Sequence, residues 1–245
     1  MLESDPFNPF VYWPHVVLGV SSILFAAIAI GSRKGSKRHR QSGLVFAVAM
    51  SVAAVTAITF SFIRLAPPAL FSAVVVLYGI SMAILTLYRR EGALRLLQAG
   101  MSVVPVVIAL GALAAAAAAA LIPPPPDVEV SLAMRLTISA LALTVASSFA
   151  ALAIGDFRFL RAAQPSRARR FRRHALRMSL AVTEVVRAPL ISFGPPLGAE
   201  GFLSFPVYFF GPFLLIPAIY FLAMPDWLKF EGDDRDLPLP GFVAE

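Results

Sequence analysis

The chain has no cysteine, only three histidines and two tryptophans, and few charges: Asp, Glu, Lys and Arg together make up 14% of it. Without cysteine it has no disulfide, no thiolate nucleophile and no cysteine-ligated zinc or iron–sulfur centre. No His/Asp/Glu pair stands at i, i+3 or i, i+4 spacing inside an apolar segment, so no metal site is expected; hydrolytic zinc and di-iron chemistry lack a ligand set. A Gly-rich phosphate loop, a Ser/His/Asp set and an acidic DDxxD-like cluster are also missing, which leaves enzyme activity without a visible centre.

Apolar residues dominate instead. The 245 residues are 58% hydrophobic with a mean hydropathy of +0.78, values that do not suit a soluble domain of this size. Seven apolar segments of membrane-spanning length run from Val11 to Ile30, Ser42 to Ile63, Pro68 to Tyr88, Leu96 to Ile122, Ser131 to Ile154, Leu176 to Phe193 and Phe205 to Met224. The expected fold is therefore all-α: a polytopic transmembrane bundle of about seven spans over residues 1–224, followed by a short acidic cytoplasmic tail, 225–245. The first span is followed, not preceded, by its basic cluster, the reverse of a cleavable signal peptide.

The formal charge is +7, but the basic residues gather at the ends of apolar segments without interleaved aromatics, so nucleic acid is not an expected partner. The first loop holds Arg33, Lys34, Lys37, Arg38 and Arg40, the third Arg89, Arg90 and Arg95, and the fifth, Asp156 to Arg173, seven arginines. The alternate loops hold Arg64, Asp127 with Glu129, or Glu200. This alternation places the N-terminus outside and the C-terminus inside. Arg167, Arg169, Arg170, Arg172 and Arg173 form a cluster suited to anionic lipid headgroups at the cytoplasmic face or to an acidic partner surface, at ~1 kcal/mol per basic residue. The expected partners are the bilayer, its anionic lipids and other membrane subunits.

Small residues and prolines add detail. Gly111 and the run Ala114 to Ala120 give the fourth span a smooth surface, expected to place it at the bundle centre. Pro206, Gly211, Pro212 and Pro217 predict a kinked or broken seventh span.

The sixth span carries the sharpest polar signal. At 100° per residue, His174, Arg177, Ala181 and Glu184 fall within roughly an 80° arc, with Arg187 beside it. If the helix enters the bilayer near Leu176, Glu184 lies about 12 Å deep and Arg187 about 17 Å deep, close to the middle of a ~30 Å core. Such a stripe must face protein or trapped water. Glu184, Arg187 and Arg177 are thus the candidate buried polar site, with Glu184 and Arg187 spaced to pair.

His39 and His174 fall on one membrane side and have the sidedness for axial ligation of a b-type haem; the alternative role is contact with headgroups at the water boundary. His15 lies at the opposite end of the first span. Retinal is excluded because the seventh span has no lysine for a Schiff base.

His39-Arg40-Gln41-Ser42-Gly43 resembles the HRxxG of a bacterial membrane-protein family of unknown function, DUF2306, and Arg173-His174 with Met178 resembles that family's later histidine-methionine helix start. The resemblance implies a prokaryotic inner-membrane setting and places His39 and His174 on one shared site. The reading that follows is a multi-pass binding or accessory component of a membrane assembly, with a buried polar site on the sixth span. A b-type haem electron-transfer protein is the alternative. A secondary or proton-coupled transporter ranks third, since the seven unequal spans show no inverted repeat. A reporter active only in the cytoplasm should work when fused after Lys37, Arg90, Arg169 or Glu245 and be silent after Asp127; an active Asp127 fusion would invert the topology.

Overall fold

A computed structural model describes residues 9–64, 67–88, 92–123, 131–162 and 165–193, together with 216, 219 and 220. The elements are α1 (Pro9–Gly31), α2 (Lys37–Arg64), α3 (Pro67–Leu85), α4 (Gly92–Met101), α5 (Val103–Leu121), α6 (Leu132–Arg161) and α7 (Arg167–Phe193). The expected all-helical class is observed, with no strand among the described residues.

Four stretches are long and apolar enough to cross a membrane: Tyr12–Gly31, Lys37–Thr59, Gly92–Leu121 and Leu132–Arg161. The third expected span is a shorter apolar helix, Ala69–Leu85. The sixth lies on α7, where Arg177, Glu184 and Arg187 interrupt the apolar run. The seventh, Phe205 to Met224, and the tail 225–245 lie outside the described residues.

Several boundaries differ from the sequence reading. The expected long fifth loop is mostly helix, because α6 continues to Arg161 and α7 starts at Arg167. Phe149, Ala153, Asp156 and Phe159 are buried at helical spacing, so the packing face of α6 runs past Asp156. Arginine is itself a good helix former, and Ser166 caps the new start, accepting the Arg169 N–H on its hydroxyl at 3.2 Å and the Arg170 N–H on its carbonyl at 3.1 Å. The expected fourth span is divided at Ser102 into α4 and α5. Pro105 supplies the cause, since it has no N–H for the carbonyl four residues back and its ring crowds that carbonyl.

The chain forms two compact units, one containing α1, α2, α3 and α7, the other α4, α5 and α6. In the second, α5 lies along α6. Ser139 donates to Ala116 O at 2.9 Å, and the Arg135 guanidinium caps the end of α5 on Ala119 O, Ala120 O and Ile122 O at 3.0, 2.8 and 3.0 Å. A cation there also opposes the negative end of the helix dipole. The alanine-rich helix is not the expected central one: only Pro105 and Ala116 of α5 are buried.

The most enclosed helix is α3, with Val75, Val76, Tyr78, Ile80, Met82 and Ala83 buried. Around it, Phe46, Ala47, Met50, Ala53 and Ala54 of α2, Ala26 of α1 and Ala181 and Val185 of α7 complete the apolar core of the first unit. Large apolar side chains point the other way: Leu44, Val48, Val52 and Val55 form an exposed stripe on α2, and Trp13, Val17, Val20 and Leu24 one on α1. Such outward stripes of large apolar residues suit helices that pack in lipid and do not suit a water-exposed surface. Pairing of α1 with α2 is fixed near one end by His15, whose Nδ1 lies 3.0 Å from Ala53 O and 2.8 Å from Thr56 Oγ1.

At one point α3 and α7 nearly touch through their backbones. A Cβ built on Gly79 would stand 3.0 Å from Arg177 O and 3.4 Å from Ala181 Cβ. Gly79→Val should therefore destabilise the protein in detergent by about 1–3 kcal/mol through overpacking. Gly43→Ala, at a helical position with nothing within 4 Å, should leave the melting temperature unchanged or slightly raised.

Candidate functional site

The polar stripe of α7 faces α3 in an antiparallel register. At a spacing of seven, Ser72 and Gly79 of α3 and Thr86 just past its end meet α7 in reverse order, at Arg187, at the Arg177–Ala181 turn and at Arg173. A seven-residue spacing keeps one seam in contact along two helices.

At one end of the seam, Arg173 Nε donates to Thr86 Oγ1 at 3.2 Å, and His174 Nδ1 donates to Ala83 O at 3.1 Å. In the middle, the Arg177 guanidinium carbon lies 5.3 Å from the centre of the Tyr78 ring, whose π face attracts a cation. At the other end, Glu184 and Arg187 form the pair that their spacing predicts. Arg187 Nε and Nη2 donate to Glu184 Oε2 at 3.0 and 2.5 Å, and Nη2 also donates to Ser72 Oγ at 2.5 Å. The Arg187 guanidinium carbon lies 5.5 Å from the centre of the Phe71 ring. Both partners are fully buried.

Among the described residues, the buried polar atoms of this seam that make no hydrogen bond are Glu184 Oε1, Arg187 Nη1, and Arg177 Nε and Nη1. Glu184 Oε1 is buried and accepts no hydrogen bond among the described residues, whereas Oε2 receives both contacts from Arg187. A buried carboxylate oxygen without a donor is costly, and a site in an apolar interior makes it more so.

The candidate residues separate into three groups. Glu184 and Arg187 are brought together, and Arg177 lies on the same buried face with its guanidinium at Tyr78. His39 and His174 occupy the same unit, each with Nδ1 donating to a neighbouring helix's carbonyl, Ala29 O at 2.9 Å and Ala83 O at 3.1 Å. Of the arginine cluster, Arg169 is exposed and Arg167, Arg170 and Arg172 are half-buried, with Arg167 5.5 Å from the Phe171 ring centre. Arg173 is a correction: it is buried against Thr86 and does not present its charge to lipid, because its helical position puts it on the α3 side of α7. No group of three or more potential metal ligands occurs among the described residues.

The residues of α3 and of the turn after it escaped the sequence reading. Phe71, Ser72, Tyr78, Gly79 and Thr86 each have an ordinary role in an apolar helix, and only their spacing marks them: 71 and 78 are aromatic, while 72, 79 and 86 are small or hydroxylic. That pattern is the signal by which they could have been found.

These features describe an all-helical protein with four stretches long and apolar enough to cross a membrane and a buried Glu–Arg centre where two of its helices meet. No family model, no curated protein and no solved structure matches the chain.

Removing one partner of the pair strands the other in a low-dielectric interior, at a cost of ~3–5 kcal/mol. Glu184→Gln and Arg187→Met should each lower stability in detergent clearly more than the double change. Arg177→Met, added to the cycle, should be additive with both if its main partner is Tyr78. Equal stability of all variants and wild type would refute the pairing.

Proposed function

We propose that this chain is a multi-pass inner-membrane binding or accessory component, and that the Glu184–Arg187 centre is where it takes a polar ligand. The observation that carries this reading is Glu184 Oε1, a buried acceptor with no donor beside a carboxylate oxygen that Arg187 occupies twice. A ligand hydroxyl, an amine or a donor from a neighbouring membrane subunit supplies what that oxygen lacks. The reading includes seven spans with the N-terminus outside, as the alternation of basic loops favours. It also includes the kinship with DUF2306, supported by His39 to Gly43 and by Arg173-His174 with Met178.

Stability measured against a panel of small alcohols and amines tests the assignment. Compounds that raise the melting temperature of wild type should lose that effect in Glu184→Ala, whose missing carboxylate offers no acceptor, and keep it in Arg169→Gln. A panel that stabilises wild type and Glu184→Ala equally would remove the centre as a ligand site.

A b-type haem remains the second reading because of one geometric feature. With Nδ1 of His39 and His174 held by carbonyls, Nε2 of each ring is the nitrogen left to ligate, the orientation that histidine ligands usually adopt. When bound, the haem would supply one-electron transfer, and the two histidines would hold its iron. Protein purified from haem-replete cells should then show a Soret band that is lost in both His39→Ala and His174→Ala; a colourless protein eliminates this reading.

A further inference from the structure

The end of the first unit where α1 turns into α2 carries a groove that neither the buried centre nor the histidines use. Its volume is about 570 Å³, within the ~300–1,000 Å³ range of small-molecule sites, and Phe25, Ile28, Lys37, Arg38, Gln41, Ser42 and Val45 line it. A neighbouring cleft of about 480 Å³ shares Ile28 and Arg38 and adds Ser32, Arg33 and Ser36. The chemistry is segregated along the helix axis. Lys37, Arg38 and Gln41 stand in the first turns of α2, while Val45 lies a turn deeper and faces Phe25 and Ile28 of α1 across the groove. From Val45 the exposed apolar stripe continues through Val48, Val52 and Val55.

We infer that this groove binds one anionic phospholipid, with its phosphate at Lys37, Arg38 and Gln41 and an acyl chain laid over Phe25, Ile28 and Val45. Two observations select that occupant. The polar-to-apolar order matches the order of groups in a phospholipid entering the bilayer, and the stripe beyond Val45 gives the chain somewhere to run. The charge also needs an anion: α2 opens with Lys37 and Arg38 and no acidic residue in its first turn, so cations stand at the positive end of a helix dipole that repels them. Lys34 is a further cation nearby, its ammonium folded back onto Ala29 O and Ile30 O at the end of α1. Burial there also lowers its pKa from the ordinary lysine value. Arg38 remains exposed and borders both clefts, which makes it the principal phosphate contact. The inference depends on membrane residence alone and is independent of the Glu184 centre.

Native mass spectrometry of the full chain, delipidated and then titrated with phosphatidylglycerol or phosphatidylcholine, tests it. Wild type should retain one phosphatidylglycerol in preference to phosphatidylcholine, and inorganic phosphate should not displace it. Lys37→Gln with Arg38→Gln should weaken retention roughly thirtyfold. Val45→Trp, which fills the apolar part without altering charge, should also weaken it. Arg95→Gln, an exposed charge outside both clefts and outside the arginine cluster of α7, should not. Equal loss in Arg95→Gln, full retention in Val45→Trp, equal retention of both lipids, or displacement by inorganic phosphate would each overturn the lipid site.

Discussion

Burying a guanidinium deep in an apolar bundle is the constraint around which the first unit is arranged. A charged group there is stable only if a counter-charge, hydrogen-bond acceptors or a polarisable ring meets it. The α3–α7 seam supplies all three: Glu184 and Ser72 at Arg187, the Tyr78 ring at Arg177 and the Thr86 hydroxyl at Arg173. These contacts require close helices, and Gly79 provides the approach by omitting the side chain that would meet Arg177 O. One missing Cβ and the contacts of three buried cations therefore belong to a single solution.

The apolar part of the unit obeys the complementary rule. In lipid, large side chains gain little by turning inward, because hydrocarbon surrounds them on either side; close packing of small residues and internal polar contacts hold helices together. On α2, Leu44, Val48 and Val52 turn outward, while the buried side holds Ala47, Ala53 and Ala54 together with Phe46 and Met50. The His15 contact with Ala53 and Thr56 adds a polar tie between α1 and α2. Alanine alone does not confer a central position, as α5 shows: its smooth face packs along α6 while most of its length stays exposed.

The polar centre and the basic end differ in what they demand of a ligand. At Glu184 what is left over is a buried carboxylate oxygen in an apolar interior, where one hydrogen bond weighs heavily. At Lys37 and Arg38 the scarce element is negative charge, at an exposed helix start. The histidines stand between these regimes, each tied to a neighbouring helix by one ring nitrogen and oriented by that tie.

Helical class, membrane residence and the Glu184–Arg187 pair were legible from the chain alone, because hydropathy, 3.6-residue periodicity and i, i+3 spacing are local properties. Helix ends were less so. Arginines after Pro165 read as a loop by charge, yet arginine favours helix, and Ser166 caps the start of α7. Which arginines turn inward depended on the partner helix: Arg173 and Arg169 look alike in sequence, and only the position of Thr86 across the seam separates a buried contact from an exposed charge. The role of Phe71, Ser72, Tyr78 and Gly79 was likewise decided by tertiary structure, since a spacing of seven has meaning only when a second helix runs beside it in matching register. Likewise, the sequence spaces Glu184 and Arg187 to pair, but which carboxylate oxygen makes no hydrogen bond depends on how Arg187 and Ser72 converge in space.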